Sequence, residues 1–408
     1  MDSDLIPAVE ACRLLGISPA TLYAYVSRGL LESRPGRDHR SRVYLRREVE
    51  QLAQRKRLGR GPARGAAQSL DRGLPVLETR ISLIRPDGPY YRGRSAVAAV
   101  RAGATLEDTA RLLWDCGSQD PFVEPPGDWP ARVAALALDA ELPPLARAMA
   151  VIPLLALQVP HSFRADQATR RAVAATLLRQ NAALLVASRP AGPVHRLLGQ
   201  TWRPGDAAFA ELVRAALVLC ADHELNVSAF AARVVASTGA HLHATVCAGL
   251  SALSGPRHGG AATRAYMLIE QAGQSRDIGR FIATHWRQGE DLPGFGHALY
   301  PDGDPRAAEL LSMLRAAPVD PATMRLLDTV IDAAGQASGR QPNIDFMLTA
   351  ICLAFGLPAT HALAMFATSR LAGWLAHALE QQAQGRLIRP RARYTGLQPE
   401  AAAAAAHD

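Results

Sequence analysis

The chain has 408 residues, 49 % of them apolar, 20 % charged and 5 % aromatic, and a formal net charge of +8. That length allows two or three domains and a core that needs no covalent staples. The composition is ordinary for a soluble globular protein and excludes a disordered chain, and its abundant Ala with few aromatics makes helix the default reading.

Five cysteines (Cys12, Cys116, Cys220, Cys247 and Cys352) are scattered singly with no C-x-x-C pair. They support neither a disulfide framework nor a cysteine metal site, and fit a reducing cytosol. The start, Met1-Asp2-Ser3-Asp4, lacks the basic and apolar regions of a signal peptide, so a cytoplasmic protein is expected. Two uncharged stretches, 234–256 and 346–369, approach membrane-span length. The first holds His241 and His243 and the second is broken by Gly356-Leu357-Pro358, so both are read as buried core helices. The positive charge is uneven: residues 1–67 carry thirteen Arg or Lys against seven Asp or Glu, which points to a polyanion partner for that end.

In chain order, residues 5–15 read as a short helix with Pro7 in its first turn, ending near Gly16. Ser18 and Pro19 then supply an N-cap and a first-turn proline for a second helix over about Ala20 to Ser27, stopped at Gly29. Leu30 to Ser33 and Arg42 to Leu45 flank an Arg-rich loop, Arg34 to Ser41, and read as a β-hairpin wing. A third helix is expected over about Arg46 to Lys56. Residues 58–75 are rich in Gly, Ala and Arg and read as a linker. From 76 onward, Ala/Leu/Val-rich helical stretches alternate with Pro/Gly breaks and strand signals are few. Residues 397–408 end in an alanine tract read as a flexible tail.

The first 57 residues resemble the winged helix-turn-helix of the MerR and excisionase regulators, on Ser18-Pro19-Ala20-Thr21-Leu22-Tyr23-Ala24-Tyr25 and Arg42-Val43-Tyr44. The resemblance implies that the second helix enters a DNA major groove while the wing grips phosphates. Thr21, Tyr23 and Arg28 would then face the groove, and Arg34, Arg37, Arg40 and Arg42 the backbone. The other reading is a protein-interaction module with solvated arginines.

Three separated segments carry the chemistry: Gly255-Pro256-Arg257-His258-Gly259-Gly260, Gly294-Phe295-Gly296-His297 and Pro342-Asn343-Ile344-Asp345. Each surrounds a titratable side chain with residues that break helices and let backbone approach a ligand. Two imidazoles and a carboxylate are the minimum kit for removing a weakly acidic carbon-bound proton while polarising the adjacent carbonyl.

Together with Ala221-Asp222-His223-Glu224-Leu225-Asn226-Val227-Ser228, Gly303-Asp304-Pro305-Arg306, Ser369-Arg370-Leu371-Ala372-Gly373-Trp374, Arg389-Pro390-Arg391-Ala392-Arg393-Tyr394-Thr395-Gly396 and the early Tyr90-Tyr91-Arg92-Gly93, these segments resemble the citrate synthase family, in its order, over about 76–396. The resemblance implies a mainly α, all-helical, two-lobed dimer. A small domain at about 260–355 would close over a cleft, with His258 and Asp345 near its hinges and His297 in the moving part. It implies condensation of acetyl-CoA, a co-substrate and not a cofactor, with oxaloacetate. Asp345 would be the base, His258 the donor to the thioester oxygen and His297 the proton source for the ketone oxygen. His223, Arg306 and Arg370 would hold the carboxylates, and Arg389 would cross from the partner subunit. Leu292, Gly294 and Phe295 would meet the CoA adenine through backbone atoms.

Two departures stand out. Ala298-Leu299-Tyr300-Pro301 replaces the basic residues that many relatives place after Gly-Phe-Gly-His, and Gln288-Gly289-Glu290-Asp291 is acidic. Propionyl-CoA, giving 2-methylcitrate, is the neighbouring reading, because one methylene shifts pocket preference by only about 1–3 kcal/mol. A DNA-binding metabolite sensor built on the same fold is the reading from a different class. His241, His243 and His361 read as helix histidines. No metal site is expected, for there is no H-E-x-x-H and no i, i+4 histidine pair.

Overall fold

The computed structural model describes residues 5–27, 31, 33–35, 42–46, 48–50, 77–158, 166–391 and 396. They belong to two compact units, one drawn from Met1–Glu78 and Arg389–Asp408, the other Thr79–Ile388. The expected linker and tail, Arg28, Gly29, Arg37 and Arg40, and the expected third helix beyond Glu50 lie outside the described residues.

In the first unit, helix Ala8–Leu15 ends at Gly16, whose φ is 59°, and helix Pro19–Ser27 follows. The Ser18 hydroxyl accepts from the Thr21 N–H at 3.3 Å, so the expected cap is present. Leu5–Pro7 is a strand and not the first turn of a helix. It pairs antiparallel with Arg42–Leu45, setting Ile6 opposite Tyr44. The pairing buries both of those side chains beside Ala11, Leu15, Leu22, Leu31 and Val49, and a proline closing the strand leaves the helix to begin at Ala8. The wing's first strand is Arg34–Pro35, later than Leu30 to Ser33, because Leu31 turns into this core instead of extending the ladder. Arg42–Leu45 is therefore the central strand of three.

The second unit opens with an antiparallel sheet of Ser82–Arg85, Gly88–Tyr91 and Arg94–Ser95. The Tyr-Arg-Gly segment forms the turn between its last two strands. Tyr91 is buried and its hydroxyl donates to the Val218 carbonyl at 3.0 Å, pinning the sheet to the end of helix Ala207–Leu219. The remainder is helical. The long helix Ala359–Gln384 is buried on nearly every face, with Val227–Ser237, Leu242–Leu253 and Gln167–Leu185 packed around it. An all-round apolar helix has no other stable place in a globular protein.

Both uncharged stretches are interrupted, the first between Ser237 and Leu242 and the second between Ala354 and Ala359. No helix among the described residues is long and apolar enough to cross a membrane. Residues 260–355, expected as the small lobe, comprise helices Gly260–Gln274, Ile278–Arg287, Pro305–Ala316, Pro321–Ser338 and Ile344–Ala354 with their connections.

Candidate active site

Helix Leu242–Leu253 stops before a tight turn that presents His258. Within it the Gly259 N–H reaches back to the Leu253 carbonyl at 3.0 Å, and a Cβ on Gly259 would fall 2.2 Å from that oxygen, so no other residue fits. The His258 Nε2 lies 2.8 Å from the Ser228 hydroxyl, which also bonds Asn226 Oδ1 at 2.9 Å and accepts from Trp374 Nε1 at 3.1 Å. Burial, aided by Arg370, lowers the His258 pKa to about 4, so the ring is neutral at pH 7.

Gly294, with φ of 88°, sits where a Cβ would meet Phe346 at 3.0 Å and Ala265 at 3.1 Å. It lets the loop dive between two helices and return, held by Asn343 N–H to Gly294 carbonyl and Gly296 N–H to Gln341 carbonyl, both 2.8 Å. His297 follows, and its Nδ1 accepts from the Leu299 N–H at 3.1 Å. That bond assigns the ring proton to Nε2. The His297 and His223 rings meet edge-on at 5.2 Å between centroids.

His223 is buried, not a surface residue. Its Nε2 is 2.9 Å from the Tyr300 hydroxyl, and burial, followed by Arg306 and Arg370, holds its pKa well below the ordinary range. Tyr300 is pushed up to about 12 by burial and so keeps its proton.

Asp304 caps helix Pro305–Ala316 and grips the Arg306 guanidinium through two bonds of 2.9 and 2.7 Å. The same carboxylate accepts from the Ile344 N–H at 3.1 Å. One buried side chain thus orients a guanidinium and the first turn of helix Ile344–Ala354, where Asp345 stands behind its Asn343 cap. Burial raises the Asp345 carboxyl above its usual range, Arg306 pulls it down, and Asp304 adds to the rise. Arg370, in the long helix, donates from Nε to the Cys220 carbonyl at 2.9 Å, while its buried Nη1 has no protein partner.

These elements converge on a cleft of about 150 Å³ whose lining includes His223, His258, His297, Arg306, Asp345 and Arg370. Neutral imidazoles at His223 and His258, the His297 ring, a basic carboxylate and two fixed guanidiniums can hold a dianion, deprotonate a carbon beside a carbonyl and supply hydrogen bonds to two oxygens.

The other expected residues are placed differently. Leu292 and Phe295 are buried, and the carbonyls of Leu292 and Gly294 already accept from Phe295 and Asn343. Arg389 belongs to the first unit and is exposed, as are Tyr23, Arg34 and Arg42, while Thr21 is half-buried. In the acidic run 288–291, Asp291 pairs with Arg340 at 3.1 Å and Glu290 lies 2.7 Å from His285 Nδ1. His241 proves to be the cap of helix Leu242–Leu253 and not a residue inside it. Sequence reasoning assigned no role to Ser228, Asn226, Tyr300 or Asp304. Ser228, Asn226 and Asp304 lie inside the quoted motifs, and the Asp-Pro before Arg306 is a helix-start signal that could have marked the last. Among the described residues no cluster of three or more His, Cys, Asp or Glu could hold a metal ion.

The family model described as citrate synthase, C-terminal domain, matches residues 69–391, and one described as helix-turn-helix domain matches residues 8–57. The chain is 36 % identical over 189 residues to citrate synthase 2 of Bacillus subtilis, covering 46 % of this chain and 51 % of that protein. It is 33 % identical over 196 residues to the 2-methylcitrate synthase of Shewanella oneidensis, covering 47 % of this chain and 52 % of that one. The chain spans about half the length of the curated relatives it matches. Among solved structures it is similar to the citrate synthase of Thermoplasma acidophilum, determined with carboxymethyl coenzyme A and oxaloacetate, at TM-score 0.66 and 25 % identity over 81 % of this chain and 96 % of that one. The citrate synthase of Thermotoga maritima matches in fold, with TM-score 0.60 and 24 % identity over 80 % of this chain and 94 % of the other.

Proposed function

This chain belongs to the citrate synthase family, and from that premise we propose that it condenses acetyl-CoA with oxaloacetate to give citrate and free CoA. The observation that carries the reading is the convergence of Asp345, His258 and His297 with Arg306 and Arg370 in one cleft. Asp345 takes a proton from the thioester methyl, and its raised pKa makes it a stronger base than an exposed carboxylate. His258, neutral and turned by Ser228, donates to the thioester oxygen as the enolate forms. The enolate carbon attacks the ketone of oxaloacetate, whose oxygen takes the Nε2 proton of His297, and the proton that Asp345 took from the methyl restores the imidazole. Water then adds to the citryl thioester carbonyl, and CoA leaves as the thiol.

The unpartnered Nη1 of Arg370 and the oriented Arg306 suit the two carboxylates of oxaloacetate. Arg389 is read as reaching the site of a second copy, so the enzyme would work as a dimer. CoA contributes as a substrate, with its adenine against Leu292, Gly294 and Phe295, where the Leu292 and Gly294 carbonyls, each already accepting one bond, keep a second lone pair. Purified protein should release free thiol only when both acetyl-CoA and oxaloacetate are present. Absence of thiol release with acetyl-CoA and with propionyl-CoA would overturn the reading.

The match to a 2-methylcitrate synthase supports propionyl-CoA as the second acyl donor. Comparing kcat/KM for the two thioesters decides between them. For the head, the helix-turn-helix match and a Ser18-capped helix exposing Tyr23 support DNA binding, with Thr21, Tyr23 and Arg28 on the groove side and Arg34, Arg37, Arg40 and Arg42 at phosphates. In a dimer two heads would favour a pseudo-palindromic site. Footprinting on the gene's upstream DNA tests it: salt-sensitive protection is expected, and none at low salt would reject it.

A further inference from the structure

A cavity of about 580 Å³ in the Thr79–Ile388 unit shares no lining residue with the catalytic cleft. Its walls come from the loop around Phe122 to Pro126, the segment Pro190–Pro193 and the start of helix Leu106–Leu113. Four prolines make much of that wall rigid and apolar.

Two polar atoms on this lining have no partner. Arg179 is 7 % exposed. Its Nη1 and Nη2 donate to the Glu124 and Phe122 carbonyls at 2.6 and 2.5 Å, which leaves the buried Nε–H unsatisfied. Glu107 accepts from the Val194 N–H at 2.7 Å through Oε1, while its buried Oε2 bonds nothing. Orphaned buried polar groups are costly, and a satisfied protein tolerates few of them. Gly192 lies against the same donor: a Cβ there would stand 3.3 Å from Arg179 Nε.

A charged donor and a charged acceptor on one apolar cavity cancel in net charge, which selects against anions and cations alike. They match a neutral group that presents an acceptor beside an N–H donor. Cavities of this size hold ring compounds up to nucleoside dimensions. We propose that this cavity is a second ligand site, separate from catalysis, which takes a neutral planar compound with an amide-type or amino-heterocycle edge: its acceptor meets Arg179 Nε and its N–H meets Glu107 Oε2.

Calorimetry or ligand-observed NMR on the full chain tests this with two matched pairs. Benzamide is compared with N,N-dimethylbenzamide, and adenosine with purine riboside. Within each pair the second compound lacks the N–H that Glu107 requires. At least one parent compound should bind, and its partner should bind roughly tenfold more weakly or worse. Which parent binds separates a carboxamide ligand from a nucleobase. Glu107→Gln preserves the bond to Val194 and turns Oε2 into a donor, so it should abolish the preference within the pair. Gly192→Ala should weaken the parent compound by occupying the space beside Nε. Thermal melts establish that both variants fold, and since neither residue lines the catalytic cleft, thiol release should persist. Failure of both parent compounds to bind, equal binding within each pair, or an undiminished preference in folded Glu107→Gln overturns the proposal.

Discussion

The hydroxyl of Ser228 stands 2.8 Å from Nε2 of His258 and also touches Asn226 Oδ1 and Trp374 Nε1. A serine has one proton, which here goes to Asn226 Oδ1 and can swing to His258 Nε2, while its oxygen accepts from Trp374. When it points to Nε2, that nitrogen accepts, and the ring proton must sit on Nδ1, the only donor His258 can then offer a substrate. Ser228→Ala removes this control and leaves the Trp374 N–H unpaired. On the order of a tenfold fall in kcat is expected with little change in KM for oxaloacetate, together with a loss of about 1–3 kcal/mol in stability. Steady-state kinetics and urea denaturation read the two effects separately, and an unchanged kcat would show that the hydroxyl does not set the tautomer.

Asp345 must be ionised to act as a base, and burial raises its pKa. The acid limb of kcat/KM should therefore lie above the range of an exposed aspartate, with activity falling as pH drops through the raised value. Protonation of His258, whose pKa burial lowers to about 4, adds its own acid limb. Asp345→Asn should cost about 10²–10⁴-fold in kcat. A pH-rate profile flat down to pH 4, or a fully active Asn variant, would remove Asp345 from the role.

Arg370 keeps its buried Nη1 free of protein partners. Lys cannot reproduce a planar fork whose Nε is committed to the Cys220 carbonyl at 2.9 Å. For Arg370→Lys, KM for oxaloacetate should rise roughly 10–100-fold while KM for the acyl-CoA changes far less. Equal changes in both constants would argue for general misfolding of the cleft and not for loss of a carboxylate contact.

His258, His297 and Asp345 were legible in the sequence because each sits in a segment of helix-breaking residues. Gly259 is fixed by a Cβ contact of 2.2 Å that no side chain survives and Gly294 by its φ of 88° between two close neighbours, and such positions leave a plain mark in the chain. What holds the site together was less visible. Ser228 and Tyr300 carry no local signal of their own role, which comes from partners 30 and 77 residues away. The same holds for strands. Leu5–Pro7 matches a helix start locally and becomes a strand only because Arg42–Leu45 is there to pair with it. The wing's offset likewise depends on Leu31 finding a core. Long-range pairing overrode local pattern at these points, whereas helix caps at Ser18, Asp304 and Asn343 are local and could be read directly.

Acid should weaken this fold through its buried histidines before Asp222 and Asp304 titrate. His243 is 3 % exposed, and burial, with the His241 ring 5.6 Å away, lowers its pKa to about 4. His195 and His361 are lowered in the same direction by burial. A histidine whose folded pKa lies below its unfolded value of about 6.5 binds fewer protons in the native state across the interval between the two. Stability must then rise with pH through that window and fall as pH drops from about 6.5 towards 4. For His243 alone the loss between pH 7 and pH 5 is about 2 kcal/mol. The buried Asp222 and Asp304 act in a lower window, because their folded pKa values are depressed and their contribution is lost only as pH falls through those values. Urea midpoints at pH 7 and pH 5 should differ in the wild-type chain, and His243→Gln should reduce the difference measurably. Identical pH dependence in the two proteins would mean that His243 gains a proton in the native state as readily as in the unfolded one.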